Sequence, residues 1–231
     1  MNRLLKLKRL LLALLLIGAI ASGLAPPVKA ANSDDLNRLL TEKLCVSFLW
    51  SRCDLRQADL HNRNLEGVNL SGADLREANL QNAQLNNADL SGADLTGANL
   101  TNASLFRTNF NKANLTEANL RGARLWQADL TLANLSRANL KETNFLEARL
   151  WGANLVEANL SDASLHGTNL EYANLADTNL TGTDFHGFFF RSYKKMTNLR
   201  KANLQGANIN DADLKGVLLE GAVMPDGSIK E

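Results

Sequence analysis

From Leu55 to Phe185 every fifth residue is Leu or Phe: 27 positions, of which 24 are Leu and the others Phe110, Phe145 and Phe185. Two residues before each stands Ala in 19 cases and Thr in five; the exceptions are Cys53, Arg63 and Val68. The residue between is usually Asn or Asp, and the two that follow are usually polar or Gly. A period of five fits neither regular element. Along an α-helix, five residues rotate ~140° beyond a full turn, so the Leu would spiral off any single face. Along a flat strand, an odd period sends successive Leu to opposite faces. The pattern is satisfied if each pentad is a short extended piece plus a bend, with Ala and Leu always inward. The chain then coils around a narrow core, and Asn and Asp supply turn-tolerant residues and side-chain hydrogen bonds at the bends.

The length of one coil is hinted at by a recurrence: Leu70-Ser-Gly-Ala-Asp-Leu75 returns as Leu90-Ser-Gly-Ala-Asp-Leu95, twenty residues later. The motif A-[DN]-L-x-x fits almost every pentad from Cys53 to Gly187, then again from Thr197 onward. In this the chain resembles the pentapeptide-repeat proteins. The resemblance implies an all-β fold, a right-handed quadrilateral β-helix with four pentads per coil, which agrees with the recurrence. Six more pentads, centred on Leu199, Leu204, Ile209, Leu214, Leu219 and Met224, bring the expectation to about eight coils. At ~4.8 Å per coil the rod would be roughly 40 Å long. Its core is a stack of Leu rungs lined by Ala, which explains an aromatic content of only 6%. Each coil buries its apolar side chains only against its neighbours, so both ends need covering.

The flanks divide the chain further. Residues 1–30 read as a secretory signal peptide: Arg3, Lys6, Lys8 and Arg9 are followed by the apolar run Leu10–Ala21, and Val28-Lys29-Ala30 offers a cleavage site. That run is too short for a spanning helix, which needs ~18–20 apolar residues, so no transmembrane span is expected. The precursor carries a formal +1; without the first 30 residues it becomes −4, mildly acidic. Residues 31–52 comprise a capping α-helix, with Leu36, Leu39 and Leu40 on one face, and a Cys loop. Residues 53–187 form the first stretch of solenoid, 188–196 an insertion, 197–226 its continuation and 227–231 a tail. Cys45 and Cys53 either form a disulfide, as an oxidising compartment permits, or leave Cys53 as an Ala substitute. No Cys-x-x-Cys spacing suggests zinc or redox chemistry. A signal peptide, a helix and Cys residues just before the first repeat resemble the cyanobacterial lumenal and periplasmic members of the family.

Departures from the repeat are where function should show. The insertion Phe188-Phe-Phe-Arg-Ser-Tyr-Lys-Lys-Met196 slips the five-residue phase by four. It reads either as an aromatic, basic protrusion for a partner or as one irregular pentad whose Phe side chains plug a gap. Wrapping the sequence at twenty stacks Phe106, Trp126 and Leu146 in one outward column, with Arg107, Arg124, Arg149 and Trp151 nearby. Large rings flanked by Arg on a polar surface have the composition of a contact hot spot; the alternative is simple stacking along the ladder. The same column continues with His166 and His186. Two imidazoles alone make a poor metal site, and no carboxylate joins them outside the repeat pattern, so no metal is expected. His61 reads as isolated and solvated. Asp54, Asp74 and Asp94 share a column, but at a repeat position and next to Arg56 and Arg76, so they read as an ion-balanced ladder rather than a catalytic cluster.

The expectation is therefore a non-catalytic exported β-helix without cofactor, a rigid scaffold for an unidentified protein partner in the periplasm or thylakoid lumen. Neither nucleic acid nor a membrane span is expected, and the uncapped C-terminal end suggests an end-to-end homodimer. The family resemblance offers one alternative, a DNA-mimicking gyrase-binding protein of the quinolone-resistance type. A signal peptide, a charge of only −4 and a C-terminal Met224-Pro-Asp-Gly-Ser-Ile-Lys-Glu231 count against it. A carbohydrate-active β-helix enzyme is a distant third.

Overall fold

The computed structural model describes Asp35, Leu39 and residues 53–186, 188–190 and 193–231. The chain divides into two units, Met1–Ala30 and Ala31–Glu231, and every described residue lies in the second. The predicted signal peptide and most of the predicted capping helix, including Leu36 and Leu40, lie outside the described residues, as does Cys45.

Each pentad turns one corner. The amide opening the next pentad donates to the carbonyl of the central residue, as in Ala58 N–H to Leu55 O at 3.0 Å and Ala98 N–H to Leu95 O at 2.9 Å. The second residue after the Leu takes positive φ throughout: 57° at Gln57, 58° at Glu77, 59° at Asp162. The first does not, which is the sign pattern of a type II turn. This explains a detail of the sequence. The positive-φ slot never holds Val, Ile or Thr, while the slot just before it takes Thr at 96, 101, 116, 131 and 181. A branched Cβ is sterically worst in the left-handed region.

The corners stack into a ladder. Asp54 pairs in parallel with Asp74, Asp59 with Asn79, Asn64 with Gln84 and Asn69 with Asp89, always twenty residues on. Four such pairs close one coil, so the rod has four faces, named here first to fourth by Asp54, Asp59, Asn64 and Asn69. Leu55 N–H donates to Asp74 O and Asp74 N–H to Cys53 O, both at 2.8 Å. The first face runs through Asp54, Asp74, Asp94, Asn114, Asn134, Asn154, Asn174, Asn203 and Val223, a little over eight coils.

Every central Leu and Phe from Leu55 to Phe185 is buried, together with the Ala residues beside them. Thr replaces Ala at 108, 143, 168, 178 and 183, all at most 1% exposed. Each hydroxyl donates to the central carbonyl of the preceding coil, for example Thr108 Oγ1 to Leu85 O at 2.8 Å and Thr183 Oγ1 to Leu160 O at 2.9 Å. The buried oxygen is thereby satisfied, which is why Thr is tolerated. Outside the core, Asn side chains form their own ladders. Asn154 Nδ2 donates to Asn134 Oδ1 at 3.0 Å, and Asn179 Nδ2 to Asn159 Oδ1 at 3.1 Å.

The insertion offsets the ladder by nine residues. Ladder partners jump from twenty residues apart to twenty-nine, Asn169 with Asn198 and Asn174 with Asn203, then return to twenty at Asn198 with Leu218. Strands β1 (Phe188–Phe190) and β2 (Tyr193–Lys195) pair antiparallel, Phe188 opposite Lys195. Where the chain re-enters, buried Thr197 keeps the rule, its Oγ1 2.7 Å from Leu165 O.

At the N-terminal end Leu39 is fully buried in the core, and Asp35 Oδ2 accepts the Asp54 N–H at 3.0 Å. At the other end the tail is not free, as the sequence alone suggested. It doubles back around Gly227, pairing Ile229 antiparallel with Val223, with Lys230 N–H donating to Ala222 O at 2.9 Å. Leu214 and Leu219 nevertheless stay only partly buried. Among the described residues no helix is long and apolar enough to cross a membrane.

Candidate interaction surface

Of the seven outward residues predicted to bind a partner, five fall on two neighbouring corners that border the fourth face, Arg149 on that face and Arg124 on the third. The third-to-fourth corner carries Phe106, Trp126, Leu146, His166 and His186 in successive coils. Phe106 and Trp126 touch, with ring centroids 5.1 Å apart and planes tilted by 52°. Arg107 lies over Phe106, its guanidinium 4.8 Å from the ring centroid, and its Nε donates to Gln127 Oε1 at 2.8 Å. Trp126 is 45% exposed, and Leu146 is half-buried. Arg124 stands exposed on the third face and makes no ion pair among the described residues.

Trp151 belongs to the other edge. It meets Tyr172, with centroids 5.7 Å apart and planes at 64°, close to edge-on. Lys201 Nζ donates to Tyr172 Oη at 2.9 Å and lies 5.1 Å from that ring's centroid. Leu132 completes the edge by lying over Gly152, where an added Cβ would come within 2.9 Å of Leu132 Cδ2. Trp151 is 40% exposed, Leu132 45% and Tyr172 47%. Between the two edges, on the fourth face, Arg149 is tied to Asp129 at 2.5 Å. Burial works to raise the Asp129 carboxyl, but hydrogen bonds from Thr131 and the charge of Arg149 outweigh it and hold it below the usual carboxylate range.

Leu132, Tyr172 and Lys201 escaped the sequence reading for a geometric reason. They occupy the positive-φ slot, one residue out of phase with Trp151, and Lys201 aligns only after the nine-residue insertion is excised. The informative signal was bulk in that slot: Leu132 and Tyr172 hold φ at 58° and 61°.

The other singled-out residues resolve as ion pairs. Arg56 meets Asp54 at 2.9 Å and Asp74 at 3.7 Å; Arg76 meets Asp74 at 2.6 Å and Asp94 at 3.8 Å. The hydrogen bond to Arg56 holds the Asp54 carboxyl below its usual range. His61 is not isolated, since its Nδ1 lies 2.6 Å from Asp59 Oδ1. Carboxylates do join the other two histidines: Asp184 lies between His166 and His186, and Asp213 beyond. No group among the described residues is arranged to hold a metal ion. A shallow depression of about 390 Å³ beside Gly152 is lined by Ser136, Arg137, Asn154, Glu157 and others, without His or Cys. Cys53 is 4% exposed at the inward small-residue position.

The family model for pentapeptide repeats (8 copies) matches residues 53–92, 83–122, 118–155, 158–191 and 196–224. The chain belongs to the pentapeptide-repeat family. Its fold is accordingly a right-handed β-helix solenoid. The pentapeptide-repeat protein HetL, involved in heterocyst differentiation regulation in the cyanobacterium Nostoc sp. Strain PCC 7120, is 35% identical. That match spans 76% of this chain and 82% of HetL, at a TM-score of 0.40. A pentapeptide-repeat protein of the Arabidopsis thaliana thylakoid lumen is 25% identical over 59% of this chain and 71% of its own, with a TM-score of 0.21. QnrB1, a plasmid-mediated fluoroquinolone resistance protein, is 18% identical over 73% of this chain and 87% of its own, at 0.47. No curated protein matches the chain.

Proposed function

We propose that this pentapeptide-repeat protein is a non-catalytic, exported scaffold that holds a protein partner against its fourth face and the two aromatic edges. The observation that carries the reading is the placement of Leu132 and Tyr172. Both are bulky, about half exposed, and held at positive φ, where an L-residue costs about 1–2 kcal/mol. Asn or Gly would sit there more cheaply, and the other non-glycine residues in this slot are polar or charged, so large apolar and aromatic side chains at these two corners are the exception. Trp126 and Trp151 add exposed rings, and Arg107 lies over Phe106; Trp and Arg, with Tyr, are the residue types that dominate binding hot spots. A hydrogen-bonded ladder presents them with little ordering cost on binding.

The partner is sought in the periplasm or thylakoid lumen, the compartment implied by the signal-peptide pattern of residues 1–30. Exported protein is expected to begin at Ala31. Within the same reading Cys45 and Cys53 are bonded, stabilising the N-terminal end by about 2–3 kcal/mol on the loop-entropy model. Two free thiols by non-reducing mass spectrometry would refute that bond. Partly buried Leu214 and Leu219 are the surface for an end-to-end dimer, and a monomeric mass by light scattering would count against it. A gyrase-binding DNA mimic fits less well, because the Asp54–Asp74–Asp94 column is neutralised by Arg56 and Arg76. The deciding experiment is co-purification of tagged protein from its native compartment, compared with the Trp126→Ala, Trp151→Ala double variant. The partner should be lost from the variant; an unchanged set of partners sinks the reading.

A further inference from the structure

The sequence is interrupted between Phe185 and Thr197, yet the coils on either side must still stack. On the third face every earlier pair of coils is joined by two backbone hydrogen bonds, such as Leu165 N–H to Asp184 O at 2.8 Å and Asp184 N–H to Ala163 O at 2.9 Å. The next pair, Asp184 with Asp213, stays in register, but its two ladder bonds, Phe185 N–H to Asp213 O and Asp213 N–H to Thr183 O, fall short of the length and straightness of those before, leaving a gap in the run of strong bonds. It also places two carboxylates directly above one another, an unfavourable like-charge pair.

A side chain occupies this gap. His186 Nδ1 lies 2.8 Å from Asp184 Oδ1, and His186 Nε2 lies 3.0 Å from Asp213 Oδ2. The first is a hydrogen bond and the second a charge contact; a neutral ring donating from Nδ1 would turn its Nε2 lone pair toward the Asp213 carboxylate, so the two contacts together suit the imidazolium. His186 stands at the same pentad position as Arg56 and Arg76, each of which spans two stacked aspartates on the first face. There the bridging cation is permanent; here it titrates.

We propose that His186 is a proton-operated fastener joining the C-terminal coils, from Thr197 onward, to the coil that ends at Phe185. Protonated, it donates to Asp184, sets its positive charge against Asp213 and neutralises their repulsion. Neutral, it keeps at most the Asp184 hydrogen bond, and the Asp184–Asp213 contact is left without a bridging charge just where the ladder bonds are weakest. Among the described residues the charged and titratable groups around it are Asp184 in its own pentad, His166 in the coil before, and Asp213 and Lys215 in the coil after. His166 Nε2 reaches Asp184 Oδ2 at 2.6 Å, at an angle too bent for a good hydrogen bond.

The ionisations follow the geometry. The hydrogen bond to Asp184, then the charge of Asp213, raise the His186 pKa above its ordinary value. Burial acts to raise Asp184, but the His186 N–H and the rings of His166 and His186 outweigh it and hold the carboxyl at about 2. A base whose folded pKa is raised contributes its stability below the unfolded value, ~6.5 for His, and loses it as pH rises through the folded one. An acid whose folded pKa is depressed contributes above the usual carboxylate range and loses it as pH falls. The fastener is therefore closed at mildly acidic pH and opens as pH rises through the raised pKa of His186.

The test is hydrogen exchange of the full-length chain between pH 5.5 and 8.5, corrected for intrinsic exchange and compared with His186→Arg and His186→Gln. Protection of amides in residues 197–224 should fall several-fold in the wild type as pH rises, while residues 73–160 stay constant. His186→Arg should hold the high protection at all pH values, and His186→Gln the low one. Ring-carbon NMR of His186 should show the imidazolium persisting above pH 6.5. If the wild-type profile matches that of either variant across the range, or the ring is already neutral at pH 6, the proposal is wrong.

Discussion

Excising the insertion asks directly whether the coil needs those residues. Removing Phe188–Met196 would restore the twenty-residue register everywhere, because ladder partners across it are twenty-nine apart. Among the described residues the backbone pairing lost is local, that of β1 with β2. Hydrogen bonds at re-entry survive, since Thr197 Oγ1 reaches Leu165 O as Thr183 Oγ1 reaches Leu160 O. What is gained is loop-closure entropy, which for nine residues scales to ~2 kcal/mol. The deletion variant is therefore expected to unfold in urea with a free energy unchanged or raised by up to about 2 kcal/mol. A control removes the same number from inside the coil, Asn114–Gly122, throwing every later rung out of phase by one residue; it should fail to fold cooperatively. A loss of more than about 2 kcal/mol on deleting 188–196 would show that the insertion packs as part of the solenoid, and the excision argument would fail.

Further outcomes follow from the same geometry. Leu155→Ala opens a cavity in a fully buried rung and should cost about 2–5 kcal/mol in urea unfolding, with a broadened transition as the coils on either side uncouple. At exposed Glu157, held at φ 59°, Gly should stabilise by up to about 1 kcal/mol and Val should destabilise by at least as much; equal thermal midpoints would contradict the turn assignment. Because Asp54 and Asp184 both titrate below the usual range, stability should decline as pH falls from ~4 toward ~2. Arg56→Gln should shift part of that decline upward, which thermal unfolding against pH would reveal.

The fold was legible because its determinant is written in every pentad. Leu55 and its successors fix the inward position, and the return of Leu70–Leu75 at Leu90–Leu95 anticipates the coil that the Asp74–Asp94 pairing closes. The Arg-balanced Asp54–Asp74–Asp94 column was legible for the same reason. What was not legible depends on backbone sign and on register across an interruption. That Gln57 and not Arg56 carries positive φ is written only indirectly, in the Gly that recurs at 67, 72, 92, 97 and 122 of that slot and in the exclusion of Thr from it. Without that sign, Leu132 and Tyr172 look like ordinary surface residues. Asp213 could be brought to His186 only by knowing that the insertion offsets the ladder by nine residues, since counting in fives or twenties never aligns them.

The central claim, that a partner covers the fourth face and its edges, is tested most directly by hydroxyl-radical labelling of the protein isolated with and without its native partner. The account predicts that labelling of Trp126, Trp151 and Tyr172 falls in the complex, while Glu117 and Glu142 at the opposite corners react as before. Unchanged labelling of all three rings in a complex that is demonstrably intact would contradict it.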